Sequence, residues 1–213
     1  HAQTTAVIFG VPFAVAADKN APDYKEHRTI AKNCNFGVFY GLFPRGLQTT
    51  LRFKAGLDVS LDRCREIIDN LKAGYSGLTA WQEKTKKTAR ELCYAETWLG
   101  RRRYLPGMLS DDWGTHACAE RCALNTPIQG TAADILKAAC GRIVEGITDK
   151  MWLRPLLQIH DELVFALPAD KVEEAVRFVR SCMEEVPYPA FDVPIVAEAS
   201  VGERFGMMKE LED

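Results

Sequence analysis

Apolar residues at Leu61, Cys64, Ile67, Ile68 and Leu71 recur every three or four positions behind Ser60. This spacing predicts an amphipathic helix over 60–73 with Ser60 as its N-cap. Residues 1–9 have helical composition and run into the breaker Gly10-Val11-Pro12. A small, polar stretch follows at 13–21. Pro22, with Asp23 and Glu26 behind it, marks the start of a helix over about 22–39 that Gly41 closes. Pro44, Gly46 and Gly56 are expected to break 42–57 into short pieces. Further helices are predicted over 78–92, over 116–148 with interruptions at Pro127 and Gly130, and from Asp170 to about 185, with Val172, Ala175, Val176 and Val179 inward.

Two segments read as hairpins. In 94–106 the arms are Glu96-Thr97-Trp98 and Tyr104-Leu105, around the turn Leu99-Gly100-Arg101. In 156–167 two apolar arms flank His160-Asp161-Glu162, which predicts arms set in a core and an exposed, rigidly held tip. Residues 193–201 have strand character and could join the sheet of that second hairpin. The first two thirds are therefore mostly helical and the last third mixes a small antiparallel sheet with helices, an α+β chain.

Composition narrows the picture. The chain has 213 residues, 47% of them hydrophobic, which suits one large domain or two small ones with a substantial core. Its net charge of −2 neither requires nor excludes a nucleic-acid partner, because a local basic face can hide in a neutral total. The seven cysteines form no C-x-x-C pair, which argues against a zinc site or disulfide framework and for a reducing compartment. No apolar run is long enough to span a membrane and no secretory signal is visible, so an intracellular location is expected. The first residue is His1, which reads as a piece of a longer chain or a processed product.

Two patterns carry candidate chemistry. Adjacent carboxylates at Asp161 and Glu162 on a hairpin tip suit an oxygen-ligated divalent cation; the alternative is an ordinary acidic turn. In the helix at 22–39, Arg28, Lys32, Phe36 and Tyr40 fall four apart and form one stripe. Two cations followed by two aromatics suit a nucleoside triphosphate, the cations meeting phosphates and a ring packing on sugar or base. An amphipathic helix with two surface charges is the alternative. The cations Lys84, Lys86, Lys87 and Arg90 on the helix at 78–92 read as a solvated face.

Arg28-x-x-x-Lys32-x-x-Asn35-Phe36-Gly37-x-x-Tyr40-Gly41 resembles the nucleotide-binding helix of family A DNA polymerases. Gln158-Ile159-His160-Asp161-Glu162-Leu163-Val164-Phe165 resembles the carboxylate motif of that family's palm. Glu96-Thr97 through Gly100-Arg101-Arg102-x-Tyr104-Leu105-Pro106 also matches, as does Ala119-Glu120-Arg121-x-Ala123-x-Asn125-x-Pro127-x-Gln129-Gly130-Thr131-Ala132-Ala133-Asp134. The four motifs occur in the family's order over almost the whole chain.

The resemblance implies helical fingers over 1–93, with the nucleotide-binding helix at about 22–39, and a palm portion over 94–213 that carries the hairpin 156–167. It implies DNA synthesis by nucleotidyl transfer, with primer–template DNA and deoxynucleoside triphosphates as partners and a nucleoid location. Arg28 and Lys32 would contact the triphosphate, and Lys32 could protonate the departing pyrophosphate. Phe36 would lie against the sugar and Tyr40 on the template side of the nascent pair. Arg121, Asn125 and Gln129, again four apart, would share a helix face on the DNA minor groove, where N3 and O2 acceptors common to all correct pairs let donors test pair shape. His160 would sit near the primer terminus. Asp161 would be a metal ligand and Glu162 a supporting carboxylate for a pair of Mg²⁺ ions.

The family's further aspartate, in a motif like Asp-Tyr-Ser-Gln-Ile-Glu, is absent from the 213 residues. The chain is therefore expected to be the C-terminal part of a polymerase, inactive or nearly so until the missing N-terminal part, from the same gene or a separate chain, completes the metal site. His27 stands where the family often has a second basic residue, and Pro44 where it usually has none. Two other readings remain open on the sequence: a non-catalytic DNA-binding or assembly module, and a segment of a single-subunit RNA polymerase.

Overall fold

A computed structural model describes residues 1–149 and 151–211. The chain divides into two compact units, residues 1–128 and 129–213. Helices dominate, joined by two-stranded antiparallel ribbons, which is the α+β class expected from the hydrophobic pattern. Among the described residues no helix is long and apolar enough to cross a membrane.

The first unit opens with α1 (Ala2–Phe9), ended by Gly10 at φ 65°. A short helix, α2 (Phe13–Ala17), occupies part of the small, polar stretch at 13–21. The next helix, α3 (Tyr24–Gly37), continues as a 3₁₀ turn (Val38–Tyr40) that stops at Gly41, whose φ of 84° favours glycine. The segment expected to be broken is one helix, α4 (Pro44–Ala55). Pro44 occupies its first turn, where no N–H is needed, and Gly56 its C-cap. Two of the three expected breakers, Pro44 and Gly56, are thus its boundaries. Gly46 lies inside, where a Cβ would meet Leu42 Cδ1 at 2.5 Å. Helix α5 (Leu61–Gly74) starts at Ser60, whose Oγ accepts from the Arg63 N–H at 3.2 Å.

The core of this half is Ile8 from α1, Ile30, Ala31 and Cys34 from α3, Leu47 and Leu51 from α4, and Cys64, Ile67, Ile68 and Leu71 from α5. All are fully or almost fully buried, so the periodic positions of 60–73 supply one wall of it.

Helix α6 (Ser76–Leu92) leads into the ribbon β1 (Tyr94–Glu96) and β2 (Arg102–Tyr104), paired Tyr94 with Tyr104 and Glu96 with Arg102. Its arms lie nearer 94 than expected, because Thr97 already closes the turn by donating its N–H to the Arg101 carbonyl. Glu96 accepts from Arg102 Nε at 2.6 Å, and the Arg102 guanidinium lies over the Tyr94 ring. Helix α7 (Trp113–Asn125) is capped by Asp112, whose carboxyl the Thr115 N–H holds below the usual carboxylate range. Ala89, Ala95, Leu105, Met108, Ala119 and Ala123 form a second, smaller core.

The second unit begins in the π-helical turn Thr126–Gly130 and continues as α8 (Thr131–Gly146). The hairpin β3 (Arg154–Ile159) and β4 (Glu162–Ala166) forms with the expected tip. Its arms do not lie in a core as expected. The register slips between Pro155 and Leu157, and Leu156 and Leu157 are 57% and 53% exposed. Proline cannot donate to the ladder, and the bulge ends the strict alternation that would have turned one leucine inward. Val164 of β4 is buried.

Helix α9 (Val172–Met183) turns Ala175 and Cys182 inward, with Val172, Val176 and Val179 half-buried. Arg142 of α8 donates Nε and Nη2 to the Cys182 carbonyl at 3.0 and 2.7 Å, capping α9, and pairs with Glu185. Gly146 leaves room for the Phe178 ring, which a Cβ would meet at 2.6 Å. Only Ser200–Val201 of the expected strand at 193–201 is extended. It forms β5 and pairs with β6 (Lys209–Glu210) rather than with the hairpin. Pro194 and the preceding prolines supply no ladder donors in this stretch.

Candidate nucleotide and carboxylate sites

The stripe on α3 runs from solvent into a cavity. Arg28 and Lys32 are exposed along the helix. Phe36, 63% exposed, and half-buried Tyr40 line a cavity of about 350 Å³ in the first unit. The opposite wall comes from α7, with Arg121 and Asn125. Two segments separated by about eighty residues of chain therefore put their candidate nucleotide and DNA contacts on one cavity.

Local packing explains why α3 presents those residues. Asn35 faces the other way: its Oδ1 accepts from Thr4 Oγ1 at 3.0 Å and its amide meets His1 Nδ1 at 3.0 Å, tying α3 to α1. His27 stacks on Phe9, so the residue beside Arg28 packs inside the unit. Gly37 has no space for a side chain, since a Cβ would meet Leu42 Cδ2 at 2.5 Å. On the α7 side Glu120 receives Lys86 of α6 at 3.8 Å.

Gly37, Leu42, Arg103, Cys118 and Cys122 also line this cavity. The signal for the cysteines was present, because 118, 121, 122 and 125 share one helical face. Arg103 is the unspecified position of the motif Gly100-Arg101-Arg102-x-Tyr104.

Gln129 lies outside α7, in the π-helical turn, so the four-residue spacing with Arg121 and Asn125 does not run through one continuous α-helix. It belongs to the second unit, as do His160, Asp161 and Glu162.

In the second unit the Ile159–Glu162 pair closes a two-residue turn, His160-Asp161. His160 has φ 55°, a left-handed conformation that glycine adopts more readily than histidine. His160, Asp161 and Glu162 are exposed. Both carboxylates border a cavity of about 600 Å³ walled by Val164, by the Val172, Val176 and Val179 face of α9, and by 196–201.

Magnesium keeps several waters and takes one or two carboxylates together with substrate phosphates. Two adjacent exposed carboxylates fit that requirement as part of a site. Among the described residues no group of three or more His, Cys, Asp or Glu comes together to hold a metal by itself.

The model of DNA polymerase family A matches residues 1–207. DNA polymerase I of Chloroflexus aurantiacus is 36% identical over 212 residues, which are 99% of this chain and 21% of that protein. The thermostable DNA polymerase I of Thermus aquaticus is 35% identical over 99% of this chain and 23% of its own length. DNA polymerase I of Pseudomonas aeruginosa is 37% identical over 95% of this chain and 21% of its length. The POL domain of Pol1 from M. smegmatis, solved in complex with DNA primer–template and dNTP, superposes with a TM-score of 0.77 at 34% identity, covering 91% of this chain and 32% of that one. The chain spans about a fifth of the length of the curated relatives it matches. With α3, the α7 motif and the Asp161-Glu162 hairpin all inside the matched residues, the chain belongs to DNA polymerase family A.

Proposed function

We propose that this chain is the nucleotide-binding and carboxylate-bearing part of a DNA-directed DNA polymerase, with fingers over 1–93 and a palm portion over 94–213. The observation that carries this reading is the cavity shared by Phe36 of α3 and Tyr40 of the 3₁₀ turn after it with Arg121 and Asn125 of α7.

In the reaction the primer 3′-hydroxyl releases its proton to solvent as its oxygen bonds to the α-phosphorus of a deoxynucleoside triphosphate, the bond from that phosphorus to the oxygen bridging to the β-phosphate breaks, and pyrophosphate leaves. Arg28 and Lys32 neutralise the phosphates as charge shifts to the leaving group, and Lys32 donates a proton to it. Phe36 packs against the sugar and Tyr40 occupies the template side of the new pair. Arg121, Asn125 and Gln129 offer donors to the minor groove. His160 contacts the primer terminus. Asp161 and Glu162 hold Mg²⁺, which when bound supplies Lewis-acid activation of the hydroxyl and charge compensation on the phosphates. A DNA substrate implies a nucleoid location.

Asp161 and Glu162 make up part of the metal site, and a second carboxylate motif is needed to complete it. Primer extension by the chain alone and mixed with an upstream family A fragment bearing that motif tests the reading. Extension with deoxynucleotides, and not ribonucleotides, by the mixture alone is expected. Robust extension by the isolated chain would overturn the division of the site, and ribonucleotide use would point to an RNA polymerase. A mixture that binds primer–template without extending it would favour a non-catalytic module.

A further inference from the structure

Helix α6 carries one buried polar side chain where its spacing calls for an apolar one. Leu78, Gln82, Thr85 and Ala89 fall on the inward face, and Gln82 is 5% exposed. Its Nε2 donates to the Val38 carbonyl and to the Phe39 carbonyl, both at 2.9 Å. Two carbonyl acceptors require the NH₂ end of the amide there, so its orientation is fixed by chemistry.

These carbonyls belong to the 3₁₀ turn that ends α3 and carries Tyr40. The Val38 carbonyl also accepts the Gly41 N–H at 3.0 Å, and the Gly37 carbonyl accepts the Leu42 N–H at 3.0 Å. On the far side of the turn a Cβ on Gly41 would meet Leu124 Cδ1 of α7 at 3.1 Å. Leu42 fills the space beside Gly37. The turn is thus packed against Leu42 and Leu124 and held by one amide. Removing the amide would take this donor from the part-buried Phe39 carbonyl and leave the Val38 carbonyl with the Gly41 N–H alone, so the pin acts on the turn's position more than on bulk packing.

We propose that Gln82 is a positioning residue for the nucleotide pocket: its buried amide fixes the end of α3, and through it the placement of Tyr40 and Phe36 at the cavity. This inference rests on the polymerase reading for its kinetic arm and stands apart from it in its structural arm.

The test uses the complete polymerase containing this chain, with Gln82→Met, which keeps shape and removes the donors, and Gln82→Glu, which can donate only when protonated. In Gln82→Met the amides of Gly41 and Leu42 should exchange with solvent about tenfold faster, and KM for the incoming nucleotide should rise about fivefold with kcat little changed. Gln82→Glu should be impaired at least as much as Gln82→Met at alkaline pH, because its carboxylate faces two carbonyl oxygens, and should approach wild type as pH falls, because its protonated carboxyl regains one donor; Gln82→Met should show no such recovery. Unchanged exchange in Gln82→Met would overturn the pin. A fall in kcat and melting temperature together, with KM and pH profile unmoved, would reduce Gln82 to a packing residue and overturn its positioning role. Should the wild-type polymerase fail to extend a primer, the functional reading falls, and the exchange result alone decides the pin.

Discussion

His27 stacks on Phe9 with ring centroids 3.7 Å apart and planes 14° from parallel. The Arg63 guanidinium lies 5.6 Å from the centroid of the same Phe9 ring, so one aromatic side chain links α1, α3 and α5. His27→Ala should destabilise the fold by about 0.5–1.5 kcal/mol beyond its lost area, with nucleotide affinity unchanged because Arg28 remains. Denaturant unfolding and nucleotide titration of the same variant check both halves.

Burial, and secondarily the charge of Cys64, push the Cys34 thiol up from its ordinary value of 9.0 to about 12; burial also raises Cys64. The native state therefore holds a proton that the unfolded chain gives up above pH 9. Since the folded form binds more protons there, stability should fall as pH rises between about 9 and 12, by about 1.4 kcal/mol per pH unit from Cys34 alone. Cys34→Ala, measured by unfolding across that range, should flatten the slope.

Cys118 is exposed and Cys122 half-buried, and both line the cavity with Phe36 and Tyr40. A thiol-alkylating reagent should modify Cys118 first in the native protein, while Cys34 and Cys64 react only after unfolding. Saturating deoxynucleotide with primer–template should slow the modification severalfold. Peptide mass mapping after timed alkylation reads this directly, and equal rates at all seven cysteines would contradict the described burial.

Lys32→Ala in the complete polymerase should lower kcat by about a hundredfold or more, as expected for loss of a general acid. Arg28→Ala should act mainly through KM. Single-turnover kinetics separates the two.

A phenyl ring offers no hydrogen bond near the sugar's 3′ side. Phe36→Tyr should therefore ease incorporation of dideoxynucleotides, read as the ratio of dideoxy to deoxy kcat/KM. An unchanged ratio would argue against the placement of Phe36 on the sugar.

The sequence carried those parts of the fold in which local chemistry and burial agree. Ser60 and the periodic residues behind it gave α5 its start and its inner face, and Gly41 marked the end of α3. Helix α4 was hidden because proline and glycine act as breakers inside a helix and as boundary residues at its ends, and spacing alone does not say which. The outward leucines of β3 were not legible either: an apolar pattern states what gains from burial, not whether the register will deliver it. At the candidate sites, the stripe of Arg28, Lys32, Phe36 and Tyr40 was readable from spacing. The role of Gln82 was not, since a glutamine inside a polar-rich helix looks like any surface residue until its neighbours are known.

The left-handed backbone of His160 sets two selections against each other. Glycine at this turn relaxes the conformation, so His160→Gly is expected to stabilise the hairpin by up to about 1 kcal/mol. Thermal-shift screening of variants would then reward loss of the imidazole beside the two carboxylates. Selection for primer extension would restore it, and the residue recovered at position 160 would report which pressure had acted.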